Sequence, residues 1–175
     1  WSPQQPQPVK FLFVGRLSPV KGLQNALKAM PAEGRWTLDV LGDGPIIEDL
    51  RQEAKELGLA DRVTFHGYSE RADEYMASSS CLLFPSYTEG MPLTLARAIQ
   101  IGIPVIASNI GPVSEMLGGT DGLIDPEDLD GWRAAIKKFI DTAEPPCCFP
   151  KSSVPTLDAM TDSVEKIYLA AAALR

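Results

Sequence analysis

The chain has 175 residues, a length that suits one domain with a sizeable apolar core. Its net charge of −7 argues against a general nucleic-acid binder, because no stripe of Lys and Arg offsets the acidic residues. No stretch approaches the roughly 18 consecutive apolar residues of a membrane span. With 3 Cys and 1 His, the sequence has neither a disulfide framework nor a metal-ligand spacing. We therefore expect a cytoplasmic protein that binds no metal.

Segments with strand and helix patterns alternate along the chain. The predicted strands are residues 9–14, 36–41, 62–66, 82–84, 104–107 and 122–124. Apolar residues at helical spacing separate them, over residues 23–30, 45–57, 72–79, 93–100, 113–117 and 125–140. Parallel strands need crossover connections, which are helical and right-handed. The pattern therefore predicts an α/β fold with a doubly wound, parallel, six-stranded sheet of the Rossmann-like type.

The two ends of the chain differ from this alternating part. Residues 1–8 are rich in Pro and Gln and are typical of a linker, so we expect the chain to be a piece of something longer. We predict one Rossmann-like domain over residues 9–143 and a linker-like excursion over 144–155, where the periodicity stops. A last helix is predicted over residues 156–175, beyond the sheet repeat.

The loop between the predicted strand 82–84 and the next helix contains Glu89 and Gly90. Open α/β sheets bind ligands just outside the carboxyl ends of their strands, beside helix N-termini. A carboxylate and a glycine at that corner indicate a binding site.

Two cations, Arg16 and Lys21, lie in the loop between the first strand and its helix. They could hold a phosphate or diphosphate, Arg16 with its planar fork and Lys21 as a point charge. Alternatively, they simply face water. The second strand ends in Gly42-Asp43-Gly44-Pro45, where the glycines either allow close approach to a ligand or form a tight turn before Pro45. The sequence has neither a dinucleotide fingerprint nor a P-loop in this part.

The order of motifs at the predicted strand ends resembles that of one family. These motifs are Arg16 with Lys21, Gly42–Pro45, Phe65-x-Gly67, and Pro85-Ser86 with Glu89-Gly90. The chain is similar to the C-terminal, donor-binding half of the retaining GT-B glycosyltransferases of group 1, also called family 4. The resemblance covers about residues 9–140. It implies a domain that binds a UDP- or GDP-sugar and takes part in hexosyl transfer without a metal or other cofactor. The acceptor would be held by an N-terminal domain that is missing here.

The resemblance also implies a role for each matching residue. Arg16 and Lys21 would hold the diphosphate and stabilise it as leaving group, and Glu89 would lie beside the donor sugar; these are the candidate catalytic residues. Tyr68 and Ser69 would meet the base. The full set of candidate nucleotide-sugar-binding residues is Gly15, Arg16, Lys21, Gly42, Gly44, Tyr68, Ser69, Glu89, Gly90, Met91, Leu93, Thr94 and Arg97.

Leu93 and Thr94 match the helix start where backbone amides meet phosphate, whereas Pro92 has no N–H to donate. Arg97 departs from the family pattern, because a second glutamate that accepts from the ribose hydroxyls is expected there. Arginine has donors only. Ribose is then held by another group, or Arg97 pairs with Glu89 or a phosphate, or donor binding is degraded.

Two further hypotheses stay open. The chain could be a non-catalytic nucleotide or nucleotide-sugar binding module, a degenerate glycosyltransferase with Arg97 in place of the second glutamate. An epimerase of similar architecture is less favoured, because such enzymes need histidine and acid constellations and this chain has one His, His66. We interpret His66 as a hydrogen-bonded structural residue.

The expected partners are a nucleotide-sugar donor and the missing N-terminal domain, with no nucleic acid. Peripheral membrane association would come from the missing half. The isolated chain is expected to bind donor but to transfer sugar poorly or not at all. Polysaccharide biosynthesis is the pathway expected from the family.

Overall fold

The computed structural model describes residues 8–119 and 122–144. Apart from residues 8 and 144, the predicted linker 1–8, the excursion 144–155 and the helix 156–175 lie outside the described residues and stay predictions.

The described residues form a parallel five-stranded sheet in the order β3-β2-β1-β4-β5. Its strands are β1 (Val9–Val14), β2 (Trp36–Leu41), β3 (Val63–Gly67), β4 (Cys81–Phe84) and β5 (Val105–Ala107). Six helices accompany them in the described ranges: α1 (Leu23–Ala29), α2 (Ile47–Glu56), α3 (Ala72–Ser78), α4 (Leu93–Ile101), α5 (Gly111–Leu117) and α6 (Leu129–Thr142). A short 3-10 turn, Pro19–Lys21, precedes α1. The predicted parallel α/β fold is confirmed.

The predicted sixth strand, residues 122–124, is not a strand of this sheet. Ile124 forms a single parallel bridge to Ser108, with its N–H donating to Ala107 O at 3.1 Å and its carbonyl accepting from Asn109 N at 2.6 Å. The extended segment is short because Gly122 has a left-handed backbone (φ 75°) and Pro126 closes the other side without an N–H to donate. The described sheet therefore has five strands rather than six.

Helices cover both faces of the sheet because strand side chains point alternately to opposite sides. Phe11 of β1 packs on the face covered by α1, α2 and α6, where Trp36 and Trp132 are also buried. Its neighbour Leu12 packs on the face covered by α3, α4 and α5. The centre of β1, residues 11–13, is therefore buried on both sides, as its short apolar run predicts.

The strand order places a crevice between β1 and β4. The chain leaves β1 towards a helix on one face and leaves β4 towards a helix on the other face. The helices that follow these two strands lie on opposite faces of the sheet, and such a topological switch point is where doubly wound sheets bind ligands.

Candidate functional site at the carboxyl ends of the strands

Two adjoining pockets open at the carboxyl ends of the strands. The β4-side pocket, of about 250 Å³, is lined by Phe13, Val14, Gly15, Arg16, Lys21, Phe84, Ser86, Glu89, Met91, Pro92, Leu93 and Thr94. The β2-side pocket, of about 340 Å³, is lined by Val14, Gly15, Arg16, Leu41, Gly42, Asp43, Tyr68 and Ser69. Both include Val14, Gly15 and Arg16, so the end of β1 is their common wall.

Most of the candidate residues predicted from sequence line one of these pockets. Arg16, Lys21 and Glu89, which come from two loops far apart in the chain, line the same β4-side pocket. Gly44, Gly90 and Arg97 line neither pocket. The predicted convergence of two cations and one acid is therefore observed, while the role of each towards a ligand stays a prediction.

Lys21 and Glu89 form an ion pair inside the β4-side pocket. The Nζ of Lys21 donates to Glu89 Oε1 at 2.7 Å and to Oε2 at 2.9 Å, and the two side chains are 28% and 7% exposed. No ion pair of Arg16 is found within residues 8–119 and 122–144. Arg16 is therefore the side chain left to attract an anion, because Lys21 and Glu89 neutralise each other.

The loops that carry Lys21 and Glu89 are packed backbone against backbone. Gly22 follows Lys21 with a left-handed backbone, φ 71°, and a Cβ there would overlap the carbonyl of Pro85 in the other loop. Beside it, Tyr87 N donates to Val20 O at 2.8 Å. Only glycine can adopt this φ and also leave room for the carbonyl of Pro85. The sequence interpretation missed Gly22, although a glycine directly after Lys21 and before a helix is a cue for a left-handed residue.

Hydrogen bonds from a side chain of α1 also hold these two loops together. Asn25 of α1 donates through Nδ2 to Tyr87 Oη at 2.5 Å and to Pro126 O at 2.9 Å. It thus joins α1 to the β4–α4 loop and to the loop before α6. Asn25 and Tyr87 were also missed, because a contact between residues 62 positions apart leaves no local pattern in the sequence.

Gly42 and Gly44 have a structural role that the sequence interpretation did not include. A Cβ on Gly42 would overlap Gly15 O, and a Cβ on Gly44 would overlap Leu17 O. Leu17 is fully buried, and its N–H donates to Asp43 O at 2.9 Å. Both glycines therefore allow the β1–α1 and β2–α2 loops to touch. Gly42 also lines a pocket and Gly44 does not, and the predicted contact of each with a nucleotide sugar stays a prediction.

The first turn of α4 forms one wall of the β4-side pocket. Leu93 N donates to Met91 O at 2.9 Å, so this amide is already bonded within the chain. Thr94 is the second residue of α4, and an N–H at this position has no partner within its own helix. The expected phosphate-facing amide is therefore available at Thr94 rather than at Leu93.

Large apolar side chains are exposed around the two pockets. Tyr68 is 80% exposed at the β2-side pocket, and Met91 and Leu93 are 61% and 65% exposed at the β4-side pocket. Exposed apolar side chains grouped at a cleft are typical of a surface that a ligand or another domain covers.

Arg97 lies away from both pockets. Its Nε donates to Asp73 Oδ1 at 2.9 Å and its Nη2 to Asp73 Oδ2 at 2.6 Å, a bidentate pair between α4 and α3. The hydrogen bonds from Arg97 lower the pKa of Asp73, and those to Asp73 raise the pKa of Arg97. Arg97 therefore does not pair with Glu89, which was one of the alternatives, because Asp73 lies within reach on the neighbouring helix.

His66 and Gly90 also lie outside the pockets. His66 Nε2 is 2.6 Å from Asp39 Oδ1, and its Nδ1 is 3.4 Å from Tyr75 Oη. The interpretation of His66 as a hydrogen-bonded residue is confirmed. Gly90 follows Glu89 in the loop, and a Cβ added there would meet no atom within 4 Å.

Metal-ligand clusters and membrane-spanning helices are both absent from the described residues. Within residues 8–119 and 122–144, no group of three or more His, Cys, Asp or Glu side chains is arranged to hold a metal ion. In the same ranges, no helix combines the length and the apolar character that crossing a membrane requires.

The sheet order and the crevice define a doubly wound domain of the Rossmann-like type, and its fold matches that of GT-B glycosyltransferases. The sequence profile of the family described as "Glycosyl transferases group 1" matches residues 2–147. The chain belongs to this family.

Comparisons with single proteins agree with this family assignment. The chain is 32% identical over 151 residues to the lipopolysaccharide 1,6-galactosyltransferase of Escherichia coli K12, covering 79% of this chain and 42% of that protein. It resembles the apo structure of the lipopolysaccharide outer core galactosyltransferase WaaB at 29% identity and a TM-score of 0.67, covering 81% of this chain and 42% of that one.

The fold is also that of Anabaena Alr3699/HepE, solved in complex with UDP and glucose. The two chains are 22% identical with a TM-score of 0.71, over 85% of this chain and 41% of that one. The chain therefore spans less than half the length of these relatives.

Proposed function

We propose that this chain is the donor-binding domain of a retaining, metal-independent glycosyltransferase that transfers a hexosyl unit from a nucleotide sugar. The observation that carries the proposal is the convergence of Arg16, Lys21 and Glu89 on the β4-side pocket at the switch point of the sheet. Relatives that are galactosyltransferases by name support a hexose as the transferred unit.

In this proposal the diphosphate of the donor lies between Arg16 and Lys21, near the Thr94 amide. Negative charge grows on the diphosphate as the glycosidic bond breaks, and fixed cations contribute most where charge develops in the transition state. Two positive side chains would take the part that a divalent metal has in other enzymes. The base would lie in the β2-side pocket, with the exposed ring of Tyr68 beside it.

Donor binding requires an exchange at Lys21. The ammonium group bonds to both oxygens of Glu89, so in a donor complex it must turn to phosphate or be shared with it. Glu89 is then released towards the sugar, which offers hydroxyl donors to a carboxylate acceptor. The pair thus couples diphosphate binding to the availability of the acid.

The test is titration calorimetry with UDP, GDP and their sugars, on the wild type and on Arg16→Ala. UDP is the first probe because the Anabaena structure of the same fold contains it. A hydrogen bond to a charged group contributes about 1.5–3 kcal/mol, so Arg16→Ala should weaken binding about 10- to 100-fold. Lys55→Ala removes the same charge from α2, away from both pockets, and should bind as the wild type does.

Affinity that is unchanged in Arg16→Ala would contradict the phosphate role. A wild type that binds none of the four nucleotide probes would contradict the proposed function as a whole.

A second candidate function is a non-catalytic nucleotide or nucleotide-sugar binding module. Arg97 favours it, because the position where the family has an acceptor for ribose carries a donor that is bonded to Asp73. The two functions separate in a sugar-transfer assay on the full-length protein that includes an N-terminal domain. Transfer by that protein supports the enzyme, and donor binding without transfer supports the module.

The remaining expectations belong to the same proposal. The isolated chain should bind donor and transfer little sugar, because the acceptor would be held by the N-terminal domain. A cytoplasmic location, membrane association through that domain and a place in polysaccharide biosynthesis stay predictions.

A further inference from the structure

The β2-side pocket contains one carboxylate that no sequence motif assigned to the ligand. Asp43, in the loop directly after β2, lines this pocket. Its Oδ1 accepts from Gly44 N at 2.7 Å, a bond that fixes the carboxylate relative to the loop. Within the described residues, Asp43 Oδ2 has no side-chain partner and is free to accept.

The position of Asp43 follows from how the two pockets join. Arg16 belongs to both, at the end of β1. A nucleoside diphosphate with its phosphates on Arg16 and Lys21 would extend its ribose from Arg16 into the β2-side pocket. Asp43 is the acidic side chain on that path, since the other carboxylate lining the pockets, Glu89, is bonded to Lys21 on the far side.

The chemistry of ribose favours a carboxylate there. The vicinal 2′ and 3′ hydroxyls are donors, and an ionised carboxylate accepts only, through two oxygens. Rossmann-like folds commonly hold ribose with an acidic side chain in this way. Arg97 cannot accept and is bonded to Asp73. Ser69, one of the two hydroxyl side chains of the β2-side pocket with Tyr68, already accepts from Arg71 N at 3.2 Å.

We propose that Asp43 accepts hydrogen bonds from the ribose hydroxyls and makes the site selective for ribonucleotides over 2′-deoxyribonucleotides. The inference rests on the proposed nucleotide-sugar function and adds a specificity-determining residue to it. It also explains how a donor site works without the second glutamate of the family.

The test is calorimetry with UDP and 2′-deoxy-UDP on the wild type, Asp43→Asn and Asp49→Asn. Asn at position 43 keeps an oxygen that accepts from Gly44 N, so the turn is retained while the charged acceptor is lost. Asp49 is an exposed acid in the first turn of α2 that lines neither pocket, so Asp49→Asn makes the same charge change elsewhere.

We expect the wild type and Asp49→Asn to bind UDP about tenfold more tightly than 2′-deoxy-UDP, as for one hydrogen bond to a charged group. In Asp43→Asn this ratio should fall to about one, through weaker binding of UDP. A wild type that binds both probes equally, or an Asp43→Asn variant that keeps the ratio, overturns the ribose role and leaves the proposed function standing. A wild type that binds neither probe overturns both.

Discussion

Two regions of this domain are built in different ways. The loops that carry Lys21 and Glu89 touch through their backbones, with Gly22 against Pro85, and the Glu89 side chain is nearly buried. The Arg97–Asp73 pair instead joins two helices on the surface, and both side chains are about half exposed. Backbone packing therefore fixes the geometry of the β4-side pocket, whereas the Arg97–Asp73 pair holds two helices together at the surface and lines neither pocket.

The largest effect is expected from an added methyl group in the first region. Gly22→Ala should be destabilising by about 1–2 kcal/mol for the left-handed backbone and by about 1–3 kcal/mol more for the overlap with Pro85. Gly58→Ala is the matched control, because Gly58 has the same φ of 71° and open space where the Cβ would lie. Denaturant unfolding of both variants measures the difference, and equal losses would show that the two loops are not closely packed.

A smaller effect is expected from releasing Lys21. Glu89→Gln removes the charge that neutralises Lys21, so the pocket should attract UDP more strongly, by roughly fivefold or about 1 kcal/mol. UDP lacks the donor hexose, so the loss of a contact between Glu89 and that hexose does not affect this measurement. Calorimetry at low ionic strength is appropriate because salt screens the attraction.

Glu115→Gln, the same charge change at an exposed position of α5, should leave UDP affinity unchanged. Weaker binding of UDP by Glu89→Gln would mean that Glu89 holds Lys21 in its binding position rather than competing with the diphosphate.

The smallest effect is expected in the second region. Arg97→Ala should leave UDP affinity within about twofold of the wild type, because Arg97 lines neither pocket. A loss of affinity close to that of Arg16→Ala would show that Arg97 leaves Asp73 to contact the ligand.

The same variant should alter the pH dependence of stability. Arg97 lowers the pKa of Asp73 in the folded chain, so the pair stabilises the fold above the unfolded pKa, about 3.9. This contribution is lost as the pH falls through the lower, folded value. The difference in unfolding free energy between wild type and Arg97→Ala should therefore be constant near neutral pH and vanish in strong acid. A difference that persists in acid would exclude the ion pair as its cause.

Much of the fold could be predicted because it follows from local patterns. Short apolar runs, continuous in β4 and β5, predicted the strands, and helical spacing with terminal Gly or Pro predicted the helices. The segment 122–124 was predicted as a strand but forms a single bridge. Apolar residues alone do not reveal how many backbone hydrogen bonds a short segment can make between Gly122 and Pro126. The convergence of Arg16, Lys21 and Glu89 on one pocket was predicted from the order of motifs at strand ends, and their role towards a ligand stays a prediction.

The contacts between loops could not be predicted. Position 44 needs glycine because the carbonyl oxygen of Leu17 lies where a Cβ would be. The partner of Arg97 lies in α3, 24 residues earlier in the chain. Such contacts depend on which loops become neighbours at the edge of the sheet. The motif pattern indicates where the ligand-binding edge lies, but the bonding partner of each side chain follows only from the assembled fold.

The central claim is that the pocket between β1 and β4 binds a nucleoside diphosphate. A crystal structure of this chain with UDP tests it most directly. The claim predicts electron density for the diphosphate within hydrogen-bonding distance of Arg16 and Lys21, with the uracil in the pocket beside Tyr68. UDP bound at another edge of the sheet, out of reach of both cations, would contradict it.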